Sequence, residues 1–536
     1  MEFLFDTFSR LCYNKLNFPS DGVFMKSTLL RLLSIILCLT LLLPVLPANA
    51  VEEQTAQDIS GNALMTEQTG FKFTYYIFDD ILTSGLPTPD SASLTLEDER
   101  GFGSLYFIFG KEYGEYTVTD ISTGECHTFG QQRFLHDFLD LEAAFGYAPT
   151  CVRVDFAHGP VNIYELYAFT SGETPDFVQK WNAPVEDKTD LILFSTHGDD
   201  EQLFFAGLLP YYAGHMKYQV QVVYLTDHRN RTQERIHEML NGLWAVGVTT
   251  YPVFGPYPDF RKDSLSEAYR QFRNLGWSRE HMLGFVVEQL RRFNPLVVVG
   301  HDFNGEYRHG QHMVYTDLLV EALEISNDAT KYPELSEQYG LWDVPKAYIH
   351  LYKENALLMD WDQPLDSFGG MTAFEVTKYR GFPCHVSQQQ DFGFWINYPS
   401  AAKLPEHDPR AYGLWRSTVG ADVEKNDLFE NLITYAEQDR IAEEARLAEE
   451  ARLAEDARKA EEARLAEEAR KAEEAAKQAL ERQRAEEERI AQQARLEREA
   501  QAQQKKRMQI LACSVCAMAI LAGMSLKLLP EKYRKK

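Results

Sequence analysis

Residues 436–507 contain neither glycine nor proline, and this constrains their fold more than any other feature of the sequence. Between residues 440 and 471 a six-residue unit rich in Ala, Glu, Arg and Leu repeats, and these residues are strong helix formers. A step of six residues rotates a helix by roughly 600°, so successive leucines fall on different sides and no lasting apolar seam forms. The segment is therefore predicted to be one exposed helix, a stalk on the order of 100 Å long. A partner-binding helix or a coiled coil is the alternative.

Side chains of opposite charge are spaced so that ion pairs within this helix can stabilise it. Side chains three or four residues apart meet on a helix surface, and each ion pair of this kind contributes about 0.2–0.5 kcal/mol. The expected pairs are Arg446–Glu450, Arg452–Asp456, Arg464–Glu468 and Glu449–Arg452. Such a helix can be stable in water without a packing partner.

The uncharged segment 508–526 is long enough to cross a hydrocarbon core of roughly 30 Å. A basic tail follows at 527–536, and basic residues beside a membrane span favour the cytoplasmic side. We therefore expect a transmembrane helix at 508–526 and a cytoplasmic tail. The alternative is a hydrophobic hairpin packed on the body of the protein.

Residues 1–50 have the features of a leader. From Met25 the chain has two basic residues, an apolar run over 32–46 and an Ala-Asn-Ala sequence ending at Ala50, which are the three parts of a secretory signal. Residues 25–50 are thus predicted to be a cleaved signal peptide. Residues 1–24 fit no part of such a signal, and we interpret Met1 as an upstream start codon and Met25 as the true start. Together the two ends predict a single-pass protein of the cell membrane with an extracellular body.

Charge and cysteine content exclude two classes of protein. A net charge of −26 argues against a nucleic-acid partner, because phosphate binding needs concentrated Lys and Arg. Only Cys126, Cys151 and Cys384 lie between the leader and the apolar C-terminal segment, too few for a disulfide framework. A single Cys126–Cys151 bridge and free thiols both remain open.

At 536 residues, more than one folded core is expected.

Residues 65–182 are predicted to form a β-sandwich. Short runs of aromatic and β-branched residues, such as 105–109 and 161–167, alternate with Gly, Asp and Pro turn signals. The runs at 152–156 and 161–169 loosely resemble the closing strands of discoidin-like carbohydrate-binding domains. The module is either a sugar-binding accessory domain or one that only packs on its neighbour.

After Pro184 the pattern changes to strands that alternate with helices. Strands are expected at 191–195, 218–225, 251–254 and 296–300, and helices at 201–213, 231–246 and 280–292. The apolar strands suit a buried parallel sheet, and such sheets bind ligands beyond the carboxyl ends of their strands. Functional side chains are therefore expected in the loops that follow Ser195 and Gly300.

Both of these loops are rich in residues that bind metal ions. The first reads Thr-His-Gly-Asp-Asp-Glu over 196–201, and the second, over 301–312, ends in His309-Gly-Gln-His312. Two imidazoles and one carboxylate form a common ligand set for a catalytic metal with an open position. Adjacent carboxylates point in different directions, so one can bind the metal while the other acts as a general base.

These two motifs resemble those of the PIG-L/LmbE-like deacetylases, zinc enzymes of Rossmann-like fold that hydrolyse N-acetylglucosaminyl groups. The resemblance covers roughly 186–325. It implies an α/β fold, with a deacetylase domain at 186–430 between the β-sandwich and the stalk. It also implies zinc as the cofactor, with ferrous iron as the alternative for a ligand set of two His and one carboxylate.

Carried over motif by motif, the resemblance assigns a role to each candidate residue. His197, Asp200 and His312 would bind the metal, and Asp199 would be the base. His309 and Tyr307 would support the oxyanion. Arg235, on the helix after the second strand, would contact the sugar.

Two positions depart from the family pattern. Gly198 replaces the usual Pro, a change that we expect to be silent, since Gly makes a tight turn without strain. Gln311 stands where the family's His-Pro-Asp-His form has Asp, so a carboxylate that would steady His309 is missing. Glu306 or Asp302 is the expected substitute. Three further histidines, His158, His301 and His350, are expected to be structural.

The resulting hypothesis is a metal-dependent hydrolase that removes acetyl from N-acetylglucosamine-type sugars at a bacterial cell envelope, on an N-acetylated glycan or glycolipid. One alternative is a non-catalytic glycan-binding surface protein on a stalk, although a pure binder needs no base such as Asp199. The other is a structural protein whose function is the helix itself. The sequence leaves the oligomeric state open.

Overall fold

The computed structural model describes residues 55–61, 64–69, 74–82, 84–85, 88, 90–228 and 233–527. The predicted signal peptide at 25–50 and the basic tail beyond Lys527 lie outside the described residues. The chain divides into two compact units, Met1–Tyr435 and Ala436–Lys536.

Two antiparallel sheets occupy the first part of the Met1–Tyr435 unit. Their strands are β1 (Leu64–Thr69), β2 (Ala92–Glu97), β3 (Ser104–Phe109), β4 (Tyr116–Asp120), β5 (Cys126–Phe129), β6 (His136–Asp140), β7 (Cys151–Phe156) and β8 (Ile163–Phe169). The five-stranded sheet has the order β1-β2-β7-β4-β5, and the three-stranded sheet has the order β6-β3-β8. Along β7 every second residue is buried, as the two-residue period of a strand requires.

A shared aromatic core joins these two sheets. Phe107 of β3 makes edge-to-face contacts with Tyr116 of β4 and Phe156 of β7, at 5.8 and 5.9 Å between ring centroids. All three rings are buried. Cys126 and Cys151, the two ends of the bridge left open above, are both free cysteines in the structure.

A seven-stranded sheet follows, in the order β11-β10-β9-β12-β13-β15-β14. Its strands are β9 (Leu191–Ser195), β10 (Val220–Thr226), β11 (Val253–Tyr257), β12 (Val297–Gly300), β13 (Lys346–His350), β14 (Ala356–Leu358) and β15 (Ala411–Ser417). The first five strands in this order are parallel, and β15 and β14 are antiparallel. The sheet is therefore mixed, and residues after 340 supply three of its strands.

Among the described residues of this unit, the α-helices are Leu141–Phe145, Asp200–Leu203, Gln233–Ala245, Leu265–Asn274, Arg279–Phe293, Gly310–Ile325, Pro333–Tyr339, Ala373–Val376 and Gln389–Phe392. The helix predicted over 201–213 is wrong in its length. It ends at Leu203, and a separate π-helical turn covers Pro210–His215. Gly207 has a φ of +93°, where it meets the buried ring of Trp361, and Pro210 has no N–H to continue an earlier helix.

The two antiparallel sheets pack directly on the α/β part of the unit. Phe134 stacks on Tyr251 with 4.5 Å between ring centroids. Nearby, Nε2 of His136 lies 2.8 Å from Nδ1 of His237, and Nδ1 of His136 lies 2.6 Å from the Tyr106 hydroxyl. This buried polar contact joins β6 to the Gln233–Ala245 helix.

The described part of the second unit belongs to one α-helix of 93 residues, which begins at Tyr435 and ends at Lys527. The predicted ion pairs are present, at 3.3 Å for Arg446–Glu450, 3.2 Å for Arg452–Asp456, 2.7 Å for Arg464–Glu468 and 2.7 Å for Glu449–Arg452. Arg446 and Arg464 also pair with a glutamate three residues earlier, as Arg452 does with Glu449. By length and composition, the apolar end of the helix could cross a membrane.

Candidate metal centre

The two motif loops meet at one edge of the seven-stranded sheet. β9 and β12 are parallel neighbours, so the loops that follow Ser195 and Gly300 leave the sheet side by side. The first loop carries His197, and the second leads into the Gly310–Ile325 helix, which carries His312. The topology thus brings together side chains that lie more than a hundred residues apart.

Three ligand atoms form a nearly equilateral triangle at this edge. Nδ1 of His197 lies 3.1 Å from Oδ2 of Asp200 and 3.1 Å from Nε2 of His312. The third side, from Nε2 of His312 to Oδ2 of Asp200, is 3.2 Å. A tetrahedral ion with bonds of about 2.0–2.1 Å holds its ligands roughly 3.3 Å apart. The triangle therefore fits such an ion, with one open face.

Two more histidines adjoin the triangle. Ligand atoms of His197, His309 and His312 lie within 4.8 Å of one another, and so do those of Asp200, His301 and His312. In His301 both nitrogens are engaged, since Nε2 accepts from the backbone N–H of Thr196 at 3.0 Å and Nδ1 lies 2.8 Å from Glu306. Nδ1 of His309 accepts from the backbone N–H of Gln311 at the start of the Gly310–Ile325 helix, so its Nε2 is the nitrogen left for other partners.

A single buried carboxylate, Glu306, contacts three imidazoles. Its oxygens lie 2.7 Å from Nδ1 of His312, 2.8 Å from Nδ1 of His301 and 2.7 Å from Nδ1 of His350. Burial alone would raise the pKa of Glu306, but these imidazoles hold it well below its usual range. His301 and His350, which were expected to be structural, both contact the carboxylate that orients His312.

Gln311 has a structural role that its motif position did not suggest. Its Nε2 donates to the carbonyl of Pro258 at 2.9 Å, and its Oε1 accepts from the N–H of Phe260 at 2.9 Å. The same oxygen lies 3.3 Å from Nε2 of His197, and Asp259 lies 3.5 Å from that nitrogen. A proton on Nε2 of His197 leaves the Nδ1 lone pair facing the triangle. Gln311 thus orients His197, and Asp259 is a neighbour that the sequence analysis missed.

The adjacent carboxylates of the first loop have opposite environments. Burial raises the pKa of Asp199 to about 6, although Arg235, at 3.4 Å, partly counteracts it. Burial would also raise the pKa of Asp200, but His312 and His197 hold it well below its usual range. The pKa values of the two carboxyl groups are therefore shifted in opposite directions. Asp200 lies at the triangle, and Asp199 lies against Arg235.

Tyr307 lies over the imidazoles in a strained backbone conformation. Its φ of 42° and ψ of 30° are left-handed, which an aromatic residue adopts at a cost of about 1–3 kcal/mol. Its N–H donates to Nε2 of His407 at 3.0 Å, and Arg261 donates to its carbonyl at 3.1 Å. The ring lies 5.5 Å from those of His309 and His312. His407 is a site neighbour that nothing local in the sequence indicated.

All the sequence-predicted site residues therefore lie in one region. His197, Asp199 and His309 are each 4–5% exposed, so the centre is nearly enclosed but still reaches solvent. In His309, burial together with His197 and His312 holds the pKa well below its usual value. The arrangement has a ligand triangle with the carboxylate of Asp199 and the imidazole of His309 next to it, which are the components of a metal-assisted hydrolytic site.

Comparison with known proteins identifies the segment that carries these loops. The family described as PIG-L, GlcNAc-PI de-N-acetylase, matches residues 192–323. A mycothiol S-conjugate amidase of Streptomyces coelicolor is 24% identical over 176 residues, which is 28% of this chain and 59% of that protein. A 1D-myo-inositol 2-acetamido-2-deoxy-alpha-D-glucopyranoside deacetylase of Catenulispora acidiphila is 26% identical over 153 residues, 28% of this chain and 46% of that protein. The chain thus spans only about half the length of these relatives.

Among solved structures, the N,N′-diacetylchitobiose deacetylase of Pyrococcus horikoshii is similar to 42% of this chain and 84% of its own, at 15% identity and a TM-score of 0.31. The family resemblance expected from the two motifs is confirmed by the matched segment, which contains both of them. Residues 192–323 of this chain are a domain of the GlcNAc-PI de-N-acetylase (PIG-L) family.

Proposed function

We propose that this protein is a metal-dependent N-deacetylase acting on N-acetylglucosamine-type sugars. The observation that carries the proposal is the triangle of His197, Asp200 and His312, with the carboxylate of Asp199, which faces Arg235, on the same loop. Two relatives are by name deacetylases of a 1D-myo-inositol 2-acetamido-2-deoxy-alpha-D-glucopyranoside, which supports this substrate class.

His197, Asp200 and His312 are the ligands that we assign, and zinc is the ion, since two imidazoles and one carboxylate are a common catalytic zinc set. Ferrous iron is the alternative for the same donors. When bound, such an ion acidifies a water molecule and polarises a carbonyl group. The environments of the ligands support this assignment, because Glu306 directs Nε2 of His312, and Gln311 directs Nδ1 of His197, towards the triangle.

Asp199 is the general base in this proposal. A pKa raised to about 6 lets the carboxylate be ionised near neutral pH and still accept a proton readily. It takes one proton from water as the water oxygen adds to the acetyl carbon. The C–N bond then breaks, the amine nitrogen takes up the proton that Asp199 received, and the free amino sugar leaves together with acetic acid, which ionises to acetate in water.

His309 and Tyr307 are assigned to the opposite side of the reacting carbonyl. The depressed pKa of His309 keeps its imidazole neutral, so it can donate one N–H to a developing oxyanion without adding charge to the resting site. Tyr307 lies over the same imidazoles, where its position supports a second contact. Arg235, which faces Asp199 at 3.4 Å, is assigned to contact a sugar hydroxyl.

The remaining parts of the chain suggest where this reaction takes place. We propose that the two antiparallel sheets at 65–182 are a β-sandwich accessory module and that 186–430 is the complete catalytic domain. The helix 436–507 would then be a stalk between an extracellular body and a membrane span at 508–526. A substrate at a bacterial cell envelope, either a wall glycan or a glycolipid, suits this arrangement.

The test uses the full-length protein in detergent, with zinc content and amine release from N-acetylglucosamine glycosides as separate readouts. Asp199→Asn should keep zinc and lose turnover by roughly 10²–10⁴-fold, since it removes only the base. His312→Ala should lose zinc as well. His158 is exposed, and His158→Gln is the matched control, which should change neither the zinc content nor the rate of amine release. A wild-type protein that binds zinc but releases no amine would favour the glycan-binding alternative.

A shortened stalk separates the enzyme from the structural alternative. Deleting residues 441–500 keeps the predicted membrane span and the whole Met1–Tyr435 unit. Amine release should persist if the body is the functional part. Loss of all function on deletion, with the body still folded, would instead identify the helix as the functional element.

A further inference from the structure

A row of aromatic rings leads away from the candidate metal centre to the protein surface. We call it the aromatic strip, and it consists of Tyr307, Trp395 and Phe394. The Tyr307 ring lies 5.5 Å from those of His309 and His312 and stacks with Trp395 at 6.3 Å and 30°. The next ring, Phe394, lies 4.5 Å from Trp395. The strip is thus continuous with the site at one end.

At its other end the strip is open to solvent. Phe394 is 58% exposed, Trp395 and Tyr307 are half-buried, and the adjoining Ile396 is buried and anchors the segment. Lys378 donates to the carbonyl of Tyr398 at 2.8 Å and holds the far side of the same segment. A large aromatic side chain left exposed on an anchored segment beside a reactive centre indicates a binding surface.

Polar groups border the rings. The guanidinium of Arg261 lies over the Tyr307 ring at 4.6 Å, and the His407 ring lies 5.0 Å from Trp395. The same two residues contact the backbone of Tyr307. Arg261 donates to its carbonyl, and Nε2 of His407 accepts from its N–H. They hold the first ring of the strip in its left-handed conformation, and strain maintained in this way is typical of functional positions.

We propose that the aromatic strip binds the sugar ring next to the one that is deacetylated, so that the preferred substrate is an oligosaccharide rather than a single N-acetylglucosamine unit. This inference rests on the proposed function and names its substrate class. A pyranose ring has a face of C–H groups and a rim of hydroxyls. The face suits flat aromatic rings, and the rim suits polar groups such as Arg261 and His407.

The strip is built largely outside the segment that matches the family. Tyr307 lies within residues 192–323, whereas Trp395 and Phe394 lie beyond it. The second sugar subsite is therefore a contribution of the 382–407 region of this chain. An acyl chain of a lipid is disfavoured as the occupant, because a charged guanidinium and an imidazole border the strip.

The experiment compares two substrates on the full-length protein. Amine release is measured for N,N′,N″-triacetylchitotriose and for methyl N-acetyl-β-glucosaminide, and the readout is the ratio of their kcat/KM values. Trp395→Ala and Phe394→Ala should each lower this ratio about tenfold, as expected for loss of one ring-stacking contact. Tyr379→Ala, an equally exposed aromatic outside the strip, is the matched control and should leave the ratio unchanged. An unchanged ratio in both strip variants would overturn the inference.

Calorimetric titration with the trisaccharide separates this inference from the proposed function. Asp199→Asn serves as the background, so no turnover is needed. Weaker trisaccharide binding in Asp199→Asn/Trp395→Ala supports the subsite even if the wild type proves to release no amine, in which case only the proposed reaction fails. Equal affinity for the trisaccharide and the monosaccharide in the Asp199→Asn background would overturn the subsite while leaving the proposed reaction intact.

Discussion

Nδ1 of His312 lies 2.7 Å from Oε2 of Glu306, and both side chains are fully buried. A carboxylate that binds the rear nitrogen of an imidazole fixes its tautomer and makes the front nitrogen a better metal ligand. Glu306 or Asp302 was expected to replace the missing motif Asp beside His309. Glu306 instead contacts His312, together with His301 and His350.

Glu306→Gln should weaken zinc binding by roughly 10–100-fold, because a neutral amide oxygen is a weaker acceptor for Nδ1–H of His312 than the carboxylate and supplies no negative charge. Competition with a chromogenic chelator measures the affinity. Asp302→Asn, the other candidate substitute on the same loop, is the control and should bind zinc as the wild type does. Equal affinities in Glu306→Gln and wild type would show that Glu306 is not a positioning residue.

Arg235→Met should shift the acid limb of the pH profile of kcat/KM to higher pH. The limb reports ionisation of Asp199, whose pKa is raised to about 6 by burial and is partly lowered by Arg235. Removing the guanidinium removes the lowering effect, so the carboxylate stays protonated to a higher pH and activity is lost sooner on acidification. A limb that keeps its position would mean that Asp199 is not the titrating base.

The buried His136–His237 contact should make the body less stable in mild acid. Burial holds the pKa of His136 well below its usual value and lowers that of His237 to about 4. In the unfolded chain both titrate near 6.5, so between about pH 4 and 6.5 the unfolded state binds more protons. Stability therefore falls as pH falls through this window, by at most about 1.4 kcal/mol per pH unit for each group.

Thermal unfolding at pH 7 and pH 5 tests this prediction. His237→Gln should show a smaller loss of Tm between the two pH values than the wild type. His158→Gln, at an exposed histidine, should keep the wild-type difference. If the difference in Tm between pH 7 and pH 5 were the same in all three proteins, protonation of His237 would not be the cause of the acid destabilisation.

Lys346→Met should destabilise the body by about 3–5 kcal/mol, because it leaves a buried charge without its partner. Nζ of Lys346 lies 2.5 Å from Oδ1 of Asp422, and both side chains are inaccessible to solvent. Lys346→Met/Asp422→Leu should recover part of this loss, since the orphan carboxylate is then removed. Urea unfolding measures the free energy of unfolding of both variants. A double variant no more stable than Lys346→Met would show that the unpaired carboxylate of Asp422 is not the cause of the loss.

Local features of the sequence were sufficient for several parts of this protein. The strands 191–195 and 296–300 and the ion pairs of the long helix follow from residue period and side-chain spacing, which act over a few positions. The two motif loops could be placed at one sheet edge because parallel neighbouring strands end on the same side. The sequence thus determined which residues approach the candidate metal centre.

Only the tertiary structure decided how those residues are held. Glu306 meets His350, Tyr307 meets His407 and Gln311 meets the backbone of Phe260, across separations of 44, 100 and 51 residues. No local period encodes such contacts, because they depend on how β13, the loop after β11 and the 382–407 region pack beside the second motif loop. The antiparallel edge of the sheet and the aromatic strip arise in the same way, from packing between distant segments.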